Sequence, residues 1–99
     1  MAEHPWLVGD MNIPTSGEVL RRQYDHTGHG CFLVRNSTSS PGFSITICDN
    51  HGLISHRRIA RTVDGFYEFA GFESNDIVGL IDRLRREGVL LDFQPYTNN

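Results

Sequence analysis

Long apolar runs are missing from this 99-residue sequence, and none approaches the ~20 residues that a membrane-spanning helix needs. The opening "MAEHPW" has neither the basic start nor the apolar stretch of a secretory signal, so a cytoplasmic location is the expectation. An excess of positive charge is missing too. The formal net charge of −3 offers no general attraction for nucleic acid or anionic lipid, and any anion site must be local. Repeats and coiled-coil heptads are absent, and the only biased segment is the short serine-rich "STSSPG" at 37–42. The length suits one domain with a single modest core.

Signatures of catalysis and of cofactor binding are also lacking. Neither G-x-G-x-x-G nor G-x-x-x-x-G-K-S/T occurs, and no G-x-S-x-G elbow presents a serine nucleophile. "HTGHGC" gathers His26, His29 and Cys31, but a fourth metal ligand is missing and Cys31 is claimed by the apolar run that follows. A thiol phosphatase would need small residues between its cysteine and arginine, so that backbone amides converge on the anion. "CFLVR" places bulky ones there. Cysteine itself is scarce, and Cys31 and Cys48 both lie in apolar, strand-like runs. They read as small buried hydrophobes with free thiols, which points to a reducing compartment.

What is present reads as one α+β domain. Pro14 suits a first helical turn, and Val19, Leu20 and Tyr24 recur at helical spacing until Gly28, predicting a helix over 14–24. Cys31 to Val34 is a continuous apolar run, as in a strand covered on both faces. Residues 43–47 alternate with period two, "DNHG" is turn chemistry, and 53–59 can return antiparallel; "VDG" then leads into the aromatic strand "FYEF". Ser74, Asn75 and Asp76 are candidate caps for a helix in which Ile77, Leu80, Ile81 and Leu84 share one face, with Gly88 beyond its end. The apolar tail "VLLDFQP" must lie back on the body.

Arg35 stands out because a guanidinium ends a run that announces burial. Such a charge is penalised by several kcal/mol, roughly, unless an opposite charge meets it. One resolution is an Asp or Glu of the same chain. The other is a ligand: Ser37, Thr38, Ser39 and Ser40 follow directly, and hydroxyls and turn amides beside a rigid bidentate cation suit a tetrahedral dianion.

"FLVRNS" at 32–37 closely resembles the signature of the Src homology 2 family. The similarity continues through "WLVGDM" at 6–11, "PGFSITI" at 41–47, "ISHRRI" at 54–59, "GFY" at 65–67, "IVGLIDRL" at 77–84 and the closing "GVLLDFQP". The resemblance implies a central antiparallel β-sheet flanked by two α-helices and a non-catalytic module that binds phosphotyrosine peptides in intracellular signalling. It implies no metal, no cofactor, no nucleic acid and no membrane span, and it implies a place in a larger multidomain protein. Carried across, Arg35 grips the phosphate, and Ser37, Thr38, Ser39 and Ser40 donate further hydrogen bonds. Ser44 lines the pocket, while His56 and Arg58 border the tyrosyl ring. Arg57, Ile59 and Gly71 are assigned to peptide specificity, with Arg57 expected to favour acidic residues after the phosphotyrosine. The loops around 70–75 and 86–89 are expected to form the specificity jaws. Three departures are visible: Ile13 stands where family members often carry a second arginine, the stretch between Gly42 and Phe43 is one residue short, and Asn75-Asp76 are inserted ahead of the second helix. A structural or docking domain with a degenerate pocket is therefore the alternative expectation.

Overall fold

The computed structural model describes residues 4–37 and 42–97. Helix α1 spans Ile13–Thr27, and helix α2 spans Ile77–Arg86. The strands are β1 (Cys31–Asn36), β2 (Phe43–Cys48), β3 (Ile54–Arg61), β4 (Tyr67–Phe69), β5 (Phe72–Ser74) and β6 (Gln94–Pro95). They form one sheet in the order β5-β4-β3-β2-β1-β6, antiparallel throughout except where β6 runs parallel to β1. The α+β class and the antiparallel sheet between two helices are thus as expected. No helix among the described residues is long and apolar enough to cross a membrane.

Local chemistry explains each helix. Asn12 caps α1 by accepting from the Thr15 amide at 2.8 Å, Pro14 occupies the first turn, and Gly28 ends the helix in the left-handed conformation with its N–H on the Tyr24 carbonyl. The helix runs past the expected 14–24 because nothing before Gly28 interrupts it. In α2, Asp76 accepts from the Gly79 amide, and three arginines in the last turn meet the negative end of the dipole.

The apolar run in β1 is buried on both faces. Phe32 and Val34 join Ile45 and Ile59 beneath Leu80, Ile81 and Leu84 of α2, while Cys31, Leu33 and Cys48 pack with Leu20 of α1. Each fully buried aliphatic side chain contributes about 1.5–3 kcal/mol. Both thiols are free and buried, and burial pushes that of Cys31 up to about 12.

Two separate segments cover the outer edge of β1. Val34 exchanges backbone hydrogen bonds with Trp6 and Val8, and Asn36 donates to the Gly9 carbonyl. At the other end Gln94 donates to Gly30, and Tyr96 to Phe32. The tail therefore does fold back, as its apolar content requires, and Gln23 of α1 holds it by donating to the Pro95 carbonyl and accepting from the Thr97 amide.

Candidate functional site

Strand register builds the site around Arg35. Arg35 pairs with Ser44, and Ser44 pairs with Arg58; one step along, Leu33 pairs with Thr46, and Thr46 with His56. Paired residues share a face and alternate residues return to it. Arg35, Ser44, Thr46, His56 and Arg58 thus project together on the α1 side of the sheet.

Arg35 is 2% exposed, and its Nε donates to Thr46 Oγ1 at 3.2 Å. No carboxylate among the described residues forms an ion pair with it; the ion pair present there is Arg21–Asp25 on the surface of α1. Burial accordingly lowers the Arg35 pKa from its ordinary value. An internal Asp or Glu partner, the first resolution open from sequence, is absent from the described residues.

A hydroxyl relay holds the guanidinium from below. Ser16 Oγ, fully buried on α1, donates to the Ile13 carbonyl at 2.7 Å, so its proton is committed there. Thr46 Oγ1 must then donate to Ser16 Oγ, at 3.2 Å, and its lone pairs accept from Arg35 Nε and from His56 Nδ1, which lies 3.1 Å away. All three contacts of Thr46 Oγ1 are satisfied together when His56 donates from Nδ1. Burial, and after it the Arg35 charge, lower the His56 pKa from its ordinary value and so favour the neutral ring.

Ser37 is half-buried, and its amide donates to the Gly42 carbonyl at 3.0 Å, next along β1 and β2 from the Asn36–Phe43 and Arg35–Ser44 pairs. Thr38, Ser39 and Ser40, expected to complete the anion cradle, lie outside the described residues. Ser44 is buried beside Arg35, and Arg58 is exposed at the rim.

The residues assigned to specificity occupy different places. Arg57 projects to the α2 side, with its Cζ 6.0 Å from the Phe69 ring centroid. Ile59 is a core residue, 2% exposed, so any influence on a ligand passes through the wall it supports. Gly71, φ 84°, and Ala70, φ 54°, form the two-residue turn between β4 and β5, a turn that requires left-handed backbone at both positions. Part of the expected 70–75 loop is therefore strand β5. Ile13 is exposed at the start of α1 and contributes no charge.

Thr46 and Ser16 were not singled out from the sequence. The signal for Thr46 was available: it lies two residues beyond Ser44 in an alternating strand, hence on the same face. Ser16 had no comparable signal, because its role arises only where α1 crosses the sheet.

A cation buried on a central strand and supported through neutral hydroxyls is a constellation that comparisons can now place. The solution structure of the SH2 domain of human proto-oncogene protein VAV1 superposes with a TM-score of 0.65 at 23% identity, covering 95% of this chain and 69% of that one. That likeness establishes a shared fold. The SH2 domain family model matches residues 6–84, which takes in the Trp6 segment, Arg35 and its strand, the β3 row and most of α2. On that match, the chain belongs to the SH2 domain family.

Proposed function

We propose that this domain binds phosphotyrosine within extended peptides, with the phosphate dianion held by Arg35. The observation that carries the reading is the Arg35 guanidinium, buried without a carboxylate partner among the described residues and fixed at Nε by Thr46. A cation so placed is stabilised by an incoming dianion, and its planar fork matches two phosphate oxygens. Ser37, Thr38 and Ser39 donate to the remaining oxygens, Ser44 lines the wall, and His56 and Arg58 flank the aromatic ring. Depth selects the ligand: a rigid phenyl spacer reaches a buried guanidinium, whereas phosphoserine would leave its phosphate at the rim. The peptide crosses β3 between the two helices and meets Arg57, the surface over Ile59 and the Gly71 hairpin beyond. The role is recognition rather than turnover, within a larger cytoplasmic signalling or adaptor protein whose partners are tyrosine-phosphorylated proteins.

Calorimetric titration of a phosphotyrosine peptide, its unphosphorylated twin and a phosphoserine version tests this. Only the first should bind. The exposed Ile13 at the start of α1 favours one rival, a docking domain with a degenerate pocket; under that reading none of the three peptides binds.

A further inference from the structure

Three tyrosines occur in the chain, and their surroundings differ. Tyr24 lies on α1 with its hydroxyl donating to the Asn50 carbonyl at 3.1 Å. Tyr67 sits inside the sheet, on β4 between β3 and β5, with its ring centroid 5.5 Å from that of Phe43. Tyr96 follows β6, the two-residue strand at the sheet edge, and its hydroxyl makes no hydrogen bond among the described residues.

Parallel pairing sets Gln94 against Cys31, whose side chain packs toward α1, so alternation returns Tyr96 to that side of the sheet. There Tyr96 borders a cavity of about 240 Å³, lined from α1 by Val19, Arg22, Gln23, His26 and Thr27. Arg22 and His26 stand one helical turn apart, both are exposed, and neither forms an ion pair among the described residues. Asp25 is engaged by Arg21 at 3.4 Å, and no acidic residue among those described lines the cavity. A phenol and two basic side chains thus share one space with no carboxylate to neutralise them.

The segment that carries Tyr96 is lightly held. Gln94 donates to Gly30 and Tyr96 to Phe32, and Gln23 adds one contact each to Pro95 and Thr97. So few bonds at a sheet edge allow the segment to detach locally while the central strands stay paired. A kinase requires that opening, because it takes its tyrosine on an extended stretch of chain.

We propose that Tyr96 is a phosphorylation site whose modified side chain is received by Arg22 and His26 of the same chain. Tyr96 Oη attacks the γ-phosphorus of ATP on a tyrosine kinase; the P–Oη bond forms, the bond to the ADP leaving group breaks, and the phenolic proton passes to the kinase's base. The product is close to a dianion at neutral pH, and the Arg22 fork and the His26 ring donate to its oxygens. Phosphorylation thereby latches the tail onto α1. The inference does not rest on the phosphotyrosine reading of Arg35, which enters only as the competing receiver in a second copy of the domain.

Kinase labelling and amide exchange test the latch. Treatment with ATP and a soluble tyrosine kinase of broad specificity, followed by peptide mapping, should place phosphate on Tyr96 ahead of Tyr24 and Tyr67; label on either of those first overturns the assignment. With Tyr96 phosphorylated by semisynthesis, the Gln94 and Tyr96 amides should exchange about five- to tenfold more slowly, the size expected for one or two exposed ion pairs. Replacing Arg22 and His26 by Gln should cancel that gain while leaving exchange in the unmodified domain unchanged, which also reports that the variant is folded. The gain should persist in an Arg35→Met background and at every protein concentration, because the receiver lies in the same chain. Unchanged or faster exchange on phosphorylation, a gain that survives loss of Arg22 and His26, or a gain that disappears with Arg35 overturns the proposal.

Discussion

Replacing Thr46 by Val tests the hydroxyl relay with almost no change in volume. The wild-type hydroxyl accepts from Arg35 Nε and His56 Nδ1 and donates to Ser16. Valine removes all three contacts, but they differ in weight. His56 is exposed and its Nδ1 can turn to water; Ser16 keeps its own donation to the Ile13 carbonyl and loses only an incoming bond. Arg35, at 2% exposure, has no such recourse at Nε. Loss of an acceptor for a charged donor amounts to about 1.5–3 kcal/mol, offset by less than about 1 kcal/mol from the added methyl. A net destabilisation of about 2 kcal/mol leaves a domain of ordinary stability folded. With a urea slope of about 1–1.5 kcal/mol/M, the midpoint should fall by about 1.5 M. The single tryptophan, Trp6, is buried in the core and supplies the fluorescence signal. Phosphopeptide affinity should weaken several-fold in the same variant, because the guanidinium loses its anchor. The decisive comparison is the double variant: with Arg35 already replaced by Met, Thr46→Val should be nearly neutral. An unchanged midpoint in the single variant, or an undiminished loss in the Arg35→Met background, would refute the relay.

Arg35→Lys should reduce phosphopeptide affinity by about 100-fold, since an ammonium does not reproduce the planar fork; calorimetry that finds near-native binding contradicts the phosphate role. Arg35→Met should abolish binding yet raise the urea midpoint of the free domain, gaining about 1–2 kcal/mol, because a buried cation without a counter-charge is removed. The depressed His56 pKa predicts a sign for the pH dependence. Below the ordinary value of 6.5 the unfolded chain takes up this proton before the folded domain does, so the His56 contribution lowers stability as pH falls from 6.5 to the depressed folded value and then levels off. Urea midpoints between pH 7 and pH 5 should therefore decline less in His56→Gln than in the wild type. Cys31 and Cys48, buried and shifted upward, should resist a thiol-specific reagent at pH 8 until the domain unfolds; rapid native-state labelling would show that the strands open locally.

Arg35 was legible because a charge closing an apolar run must be explained by something outside the run. Helix α2 was legible from four apolar residues on one face, and the row from Arg35 through Ser44 to Arg58 follows from alternation once the hairpins are placed. Strand β5 was not legible. It is three residues long, too short to show a period, and its turn uses Ala70 at φ 54°, where a glycine or asparagine would have signalled left-handed backbone. The Ser16–Thr46 contact was hidden for another reason: serine within a helix and threonine within a strand are unremarkable locally, and only the crossing of α1 over β2 turns them into a support. The Arg57–Phe69 contact likewise requires β3 and the β4–β5 hairpin to meet in space, which no local pattern encodes.

The divided cover on the edge of β1 has a mechanical consequence. The clasp formed by Trp6, Val8 and Gly9 grips the backbone on both sides of Arg35, whereas β6 grips only the far end of the strand. Detachment of the tail from Gln94 onward would expose the Gly30 and Phe32 carbonyls to water and leave Arg35 in its setting. Release of the Trp6 segment would instead free Val34 and Asn36, the two residues that fix where the guanidinium points. The two ends of the strand can therefore fray independently, and only one of those openings disturbs the backbone on either side of Arg35.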